Sequence, residues 1–413
     1  MSKNIESSKA AFSTYQIFII IVLATLQFTV VLDFMVLSPL GAILLTELNI
    51  KPAQFGWVVS AYAFSAGASG LLTAGFADKY DRKKILLFFY SGFIIATFLC
   101  AIAANYEFLL GARIITGIFG GVISSVSFAI ITDLFQLEIR GKVMGFVQMS
   151  FAASQVLGLP IGLELANRFG WHSPFWMIAV VSIFSWVIIA IYMKPITAHL
   201  KTSYEHNAIQ HLMRTLTKKL YLRAFLTTVF LATGGFMLMP FGSAFSINNL
   251  KISIDDLPVL YFVTGISSIV FGPMLGMLSD KVGKYRLFAI GTVITMLMVI
   301  IYTNLGVTPF WTVVALNVVL FAGITSRMIS GSALMTAVPE QHDRGAFMSI
   351  NSSIQQISGG IAAAVAGLIV VQENNGHMDH YDALGYVVVG SMLITVGLMY
   401  VLNQQLKRKV QGL

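Results

Sequence analysis

Residues 27–41 read Gln-Phe-Thr-Val-Val-Leu-Asp-Phe-Met-Val-Leu-Ser-Pro-Leu-Gly, inside an apolar segment that runs from about Ile17 to Leu45. Asp33 stands near its middle. An acid at bilayer depth costs about 2.5–3.5 kcal/mol on insertion scales, so it needs a partner or a task. The 413-residue chain around it is 57% hydrophobic and 11% charged, against roughly 25% charged in a soluble protein. Runs of about 20 apolar residues recur, each long enough to cross about 30 Å of hydrocarbon. The alternating segments of about 10 residues that mark a barrel do not occur. The fold class expected is an all-α polytopic membrane protein.

Twelve spans are expected, at about 15–45, 54–77, 85–104, 107–133, 142–166, 172–193, 221–247, 258–279, 287–304, 310–338, 345–371 and 382–402. An even number puts both termini on one side, and that side then holds 21 of the 26 Lys and Arg. The positive-inside rule makes that side the cytoplasm. The net charge of +8 is therefore a topology signal. No nucleic-acid partner is expected, because no basic stretch is interleaved with exposed aromatics. Cys100 is the single cysteine, so an intrachain disulfide is impossible. The first span is too long for a signal-peptide core and lacks a small-residue cleavage site, so it is expected to stay.

The longest polar interval, 194–220, divides the spans six and six. Its His199, His206 and His211 read as part of a solvated linker, and 208–220 has the spacing of a surface helix. The halves repeat each other. Leu37-Ser-Pro-Leu-Gly-Ala matches Leu238-Met-Pro-Phe-Gly-Ser at an offset of 201. Gly75-Phe-Ala-Asp-Lys matches Gly276-Met-Leu-Ser-Asp-Lys, and Arg140-Gly-Lys matches Arg344-Gly-Ala. The expected units are 1–193, a linker 194–220, and 221–413. Parallel repeats of this kind place a site near the midplane, between the halves.

Both Gly75–Lys84 and Gly276–Arg286 resemble the G-x-L-A-D-R-x-G-R-K signature of the major facilitator superfamily; the first copy has Asp81 where the second keeps Gly283. Arg113, Thr116, Gly117, Gly120, Gly121 and Ser124 share one helical face and resemble the R-x-x-x-G motif of its proton-coupled drug antiporters. Gly158-Leu-Pro160-Ile-Gly162, then Phe169-Gly-Trp, is similar to the sugar- and metabolite-efflux branch of the 12-span drug:H+ antiporters. The resemblance implies the major facilitator fold and alternating access, driven by a proton gradient without a cofactor. It implies a gate at Gly75, Asp78, Arg82, Asp133, Glu138 and Arg140, echoed by Gly276, Asp280 and Arg344, and a second gate at Gly158, Pro160 and Gly162. The alternative for these charges is topology alone.

At 1.5 Å per residue, Asp33 and Arg113 lie about 26 and 30 Å from the inner ends of their helices. They are expected to approach each other, either for proton coupling or as a static pair; Arg113 alone can also snorkel outward. A neighbouring cation favours the charged carboxyl and desolvation the neutral one, so such a group can switch as a cavity opens. Arg327 has no acid in its half at its depth. It meets an anionic substrate group, bonds backbone carbonyls, or reaches Asp33. Tyr62, Gln148, Gln155, Phe236, Met237, Asn317, Asn351 and Gln355 are further cavity candidates, with interhelical bonding or packing as the alternative for each. His377-Met-Asp-His380 has metal-ligand spacing but reads as a solvated loop. No nucleotide loop or nucleophile elbow occurs, so chemistry on the substrate is not expected.

The expected function is a monomeric transporter in a bacterial inner membrane that exports a small molecule in exchange for protons. Uptake of a polar or anionic metabolite by symport or facilitation is the alternative. A receptor or lipid scramblase on the same scaffold is the reading of another class.

Overall fold

The computed structural model describes residues 12–197, 200, 208–340 and 343–411, apart from the side chains of 74–76, 78, 137, 138, 141, 142, 208–212 and 409–411. His199 and His206 lie outside these residues, as do the side chains of His211 and Glu138. Among the described residues, twelve helices are long and apolar enough to cross a membrane. Spans 1 to 6 are Thr14–Val36, Pro52–Thr73, Arg82–Ala101, Tyr106–Leu134, Val143–Phe169 and Ser173–Tyr192. Spans 7 to 12 are Lys219–Asn248, Ile254–Val282, Lys284–Thr303, Phe310–Thr336, Arg344–Ile369 and Tyr381–Arg408. Helix is the form such runs must take, since in hydrocarbon each backbone N–H and C=O needs a partner within its own segment.

The ends of the spans follow local chemistry. Ser13 and Gln16 form a reciprocal cap on span 1, and the Asn105 side chain accepts from the Phe108 N–H at the start of span 4. Gly170 and Gly283 end spans 5 and 8 with φ of 85° and 99°, a conformation that excludes most L side chains. Span 1 stops at Val36 rather than running to Leu45. Pro39 lacks an N–H and its ring crowds the carbonyl of Met35, so the chain turns and restarts as the short helix Gly41–Glu47. Its repeat, Pro240, does the same in span 7, between Phe236 and the helix Gly242–Asn248.

These two broken ends meet on the face away from the termini, here called the distal face. Ser38 donates its hydroxyl to the carbonyl of Met239, and Ser243 donates to the carbonyl of Ser38 at 2.9 Å. The seam continues along spans 2 and 11, where Ser60 donates to the Gly360 carbonyl at 2.7 Å. A Cβ on Gly56 would lie 2.8 Å from the Ala363 carbonyl, and one on Gly41 2.8 Å from that of Pro240. Small residues thus let the halves touch backbone to backbone. Spans 5 and 8 close the other side of this face through Asn167, which donates to the Ile254 carbonyl at 3.0 Å.

The linker contains a helix, Ala208–Thr217, packed against spans 2 and 11. Between spans 11 and 12, Val371–Gln372 pairs antiparallel with Met378–Asp379. The hydropathy reading shows a plain loop here. The Asn249 side chain holds this hairpin by bonds to the N–H and carbonyl of Met378, 2.9 and 3.0 Å.

The seam can be tested with Gly56→Val in a Ser38→Cys background, Cys100 being buried. The added carbons collide with Ala363, so the distal face should open more often. A thiol-reactive, membrane-impermeant maleimide should then label the introduced thiol about tenfold faster, the equivalent of roughly 1.4 kcal/mol. Equal labelling rates would show that this contact does not hold the face closed.

Candidate functional site

The structure brings Asp33 and Arg113 together. An Arg113 Nη1–H donates to Asp33 Oδ2 at 2.6 Å, and both side chains are 0% exposed. The Thr97 hydroxyl of span 3 reaches Asp33 Oδ1 at 3.4 Å. The Tyr62 ring lies 4.6 Å beneath the guanidinium carbon, a cation–π contact. Arg113 Nε and Nη2 are buried and have no hydrogen-bond partner among the described residues. The pair is thus closed off from solvent but short of bonds, an arrangement poised for a change of state.

The small face of span 4 makes this geometry. A Cβ on Gly117 would fall 2.4 Å from the Tyr62 carbonyl, and one on Gly121 2.2 Å from that of Ala66. Any larger residue would force spans 2 and 4 apart and lift the Tyr62 ring from Arg113. The ring leads onward to the other half. Tyr62 packs on Phe34 at 5.3 Å between centroids, and Phe34 packs on Phe236 of span 7 at 5.8 Å. Phe236 in turn covers Gly359 of span 11.

The other candidates are dispersed. Gln148 and Gln355 are exposed, and Gln155 is half-buried. Asn351 accepts from the Thr228 hydroxyl at 2.5 Å, and Asn317 donates to the Val313 carbonyl at 3.1 Å within its own helix. Met237 is 1% exposed in the apolar core, so it fills space rather than lining an opening. Arg327 does not reach Asp33. It lies inside the second half, with Phe288 5.9 Å from its guanidinium carbon. Near the hairpin, His377 lies 3.5 Å from Asp379 and 3.4 Å from the Asn249 amide.

At the terminal face, Arg82 Nε donates to Asp133 Oδ2 at 2.9 Å, and Arg82 Nη1 to the Ala77 carbonyl at 2.8 Å. Arg140 instead donates to the carbonyls of Phe135 and Thr132, which ends span 4. Gly75 and Asp78 lie among the positions whose side chains are not described. In the second copy, Gly276 has open space around it, and Asp280 and Arg344 are exposed. Asp81 explains its own presence. Its carboxylate accepts from the N–H groups of Lys83 and Ile196, both at 2.9 Å, so it caps span 3 and ties down the end of the first six-span unit. Asp81 has φ −56° where Gly283 has +99°; the two loops turn differently.

Span 5 departs from a plain helix at its Pro. Ser154–Gly158 widens into a π-helical turn because Pro160 has no N–H to bond the carbonyl of Val156. Ser154 uses the bend to donate to the Phe28 carbonyl of span 1 at 3.1 Å. A Cβ on Gly158 would strike Leu32 and one on Gly162 would press Val36, so these glycines face span 1. Position-by-position reading also misses Asp343. It is 1% exposed and accepts from Lys218 and, at 2.8 Å, from Tyr221. That bond to Asp343 holds the Lys218 ammonium above the usual lysine range. The signal was present only as an acid beside Arg344, indistinguishable there from a loop charge.

A family model described as Major Facilitator Superfamily matches residues 23–245 and 224–412. An uncharacterized MFS-type transporter of Bacillus subtilis is 26% identical over 378 residues, covering 90% of this chain and 94% of that one. A probable sugar efflux transporter of Helicobacter pylori is 25% identical over 357 residues, 85% of this chain and 86% of its own. Among solved structures, a D-xylose–proton symporter superposes with a TM-score of 0.74 at 18% identity, over 92% of this chain and 97% of that one. A bacterial homologue of the human lysosomal transporter Spinster, inward-facing and unoccupied, gives 0.68 at 17%, over 95% and 96%.

The pair can be weighed by double substitution. Arg113→Leu alone leaves a buried carboxylate unpaired and should cost about 3–5 kcal/mol. Asp33→Leu with Arg113→Leu should regain most of that loss. Denaturant unfolding in detergent reads both; equal loss in the single and double variants would mean that the pair is not an isolated electrostatic unit.

Proposed function

The chain belongs to the Major Facilitator Superfamily, and we propose that this twelve-span transporter exports a small organic molecule in exchange for protons. The observation that carries the reading is the sealed Asp33–Arg113 pair at 2.6 Å. A static strut would be cheaper as packed apolar side chains. A carboxyl that gains a proton in one state and loses it in the other is a reason to keep the charges.

The proposed cycle uses the contacts already described. In the state with the distal face closed, Asp33 is ionised and holds Arg113. When the distal face opens, Asp33 takes a proton, its carboxyl becomes neutral, and Arg113 is left with an unbalanced positive charge. Arg113, with Nε and Nη2 already lacking partners among the described residues, must then find water or new acceptors, and the ring of Tyr62 cannot stay where it is. Tyr62 moves Phe34, and Phe34 leaves Phe236 of the other half. Protonation is thereby linked to the seam between the halves. Closing again expels the proton toward the terminal face, and the solute moves outward in the opposite phase.

The direction is supported by the Gly158–Gly162 motif and by the relative described as a probable sugar efflux transporter. The basic excess on the terminal side supports a cytoplasmic location for both termini, and hence a bacterial cytoplasmic membrane. The Arg82–Asp133 contact supports a gate on that side.

The test is Asp33→Asn in proteoliposomes. Transport driven by an imposed pH gradient should fall at least about a hundredfold, the scale on which removing a positioned proton carrier acts. Exchange of labelled for unlabelled solute, which needs no net proton movement, should persist. Undiminished gradient-driven transport by the variant would remove Asp33 from coupling.

A further inference from the structure

Arg327 is the second buried cation of the membrane region, and it differs from Arg113 in one respect. Arg113 has Asp33. Arg327 is 4% exposed, and its Nε and Nη2 have no hydrogen-bond partner among the described residues. Three residues on, the Ser330 hydroxyl is 0% exposed and likewise without a partner among them. Residues three apart share a helix face, so span 10 presents a guanidinium edge and a hydroxyl side by side, with donors available. The acids of the second half, among them Asp255, Asp280, Asp343 and Asp382, stand at the ends of spans or in loops.

The repeat shows what is missing. At the offset of 201 that aligns Pro39 with Pro240, the counterpart of Asp33 is Gly234. A Cβ built on Gly234 lies 3.7 Å from Arg327 Nη2 and 3.4 Å from the Met392 side chain. That is ordinary contact distance: the position faces the guanidinium, has room for a Cβ, and is bordered beyond it by the flexible Met392 side chain. In the first half an acid stands at that position; its cation Arg113 aligns with Val314 and Arg327 with Val126, so the second half offers a cation to the same position from a different place on its helix. A buried guanidinium in a membrane is held by a counter-charge or by backbone carbonyls, and its planar fork matches the two oxygens of a carboxylate.

We propose that Arg327, Ser330 and the gap at Gly234 form an anion site that takes the carboxylate of the transported solute, so that the solute completes in the second half the pair that Asp33 completes in the first. The inference rests on the reading of the chain as a transporter, since it makes the cargo the counter-ion. It narrows the solute to a monocarboxylate or a carboxylate-bearing metabolite.

The full-length protein, purified in detergent, is tested by thermal unfolding with sodium benzoate, sodium acetate, sodium chloride and uncharged benzyl alcohol, each titrated to about 100 mM. Benzoate or acetate should raise the midpoint saturably, chloride less, and benzyl alcohol not at all. Arg327→Gln should abolish the rise and Arg327→Lys should weaken the apparent affinity about tenfold, since Lys lacks the planar fork. Gly234→Asp should abolish it too, and should unfold at a higher temperature without ligand because it carries its own counter-ion; Gly234→Ala should behave as wild type. Gly234→Asp also keeps the test alive where Arg327→Gln fails to fold. A carboxylate effect that survives in Gly234→Asp, or no effect in the wild type, overturns the site. A chloride effect equal to or larger than that of the carboxylates assigns it to a free anion and overturns the solute reading. Asp33→Asn should keep the carboxylate shift, so undiminished pH-driven transport by that variant with an intact shift would count against proton coupling and not against this site.

Discussion

A single carboxylate in the middle of the first span constrains everything around it. Asp33 has no water at 0% exposure, so its stability depends on how near a cation can be brought. The cation is held by span 4, and span 4 is in reach only because Gly117 and Gly121 let it lie against the backbone of span 2. The same approach places the Tyr62 ring under Arg113. One acid therefore accounts for the glycine spacing of one helix and the aromatic of another. Replacing the pair by apolar residues of similar volume would relax all three demands at once; that the chain keeps all three points to a use for the charge.

The two halves show which parts of the repeated unit serve the scaffold and which do not. The broken spans 1 and 7 are both turned by a Pro, both restart as a short helix, and lie on each other across the distal face. That feature is symmetric because closing a face between two like units needs the same end on each. The polar groups are not symmetric. Asp33 has Gly234 as its counterpart, and the Gly283 turn has Asp81, whose carboxylate caps a helix with φ −56° where glycine takes +99°. Position by position, duplication has preserved backbone geometry where the halves meet and released it where each half works alone.

The legible features are those whose cause lies within one segment. Hydropathy places most spans to within a few residues because the bilayer sets the length; the end of span 1, at Val36 and not Leu45, is the exception. Counting residues from the helix ends brings Asp33 and Arg113 to one depth because rise per residue is constant, and the contact at 2.6 Å follows. Features that depend on a neighbour are not legible. The π turn at Ser154 needs the carbonyl of Phe28 as much as the missing N–H of Pro160. Asn249 clasps a hairpin more than a hundred residues away, and Asp343 is buried where Tyr221 and Lys218, more than a hundred residues earlier, bond it. Met237 stands where lining and packing are both open from sequence, and its neighbours leave it 1% exposed in the core.

The distal seam sets the energy scale on which such a molecule can alternate. It is built from glycine and serine contacts, with hydroxyls of Ser38, Ser60 and Ser243 donating to carbonyls of the opposite half. Each such bond is worth only about 0.5–1.5 kcal/mol net, and each donor finds a water when the face opens. Aromatic pairs lie across it as well, Phe55 on Phe241 and Phe34 on Phe236, both with centroids 5.8 Å apart. Small residues and aromatic pairs between the halves, beside a charge pair sealed within one of them, are the contacts that any opening of the distal face must rearrange.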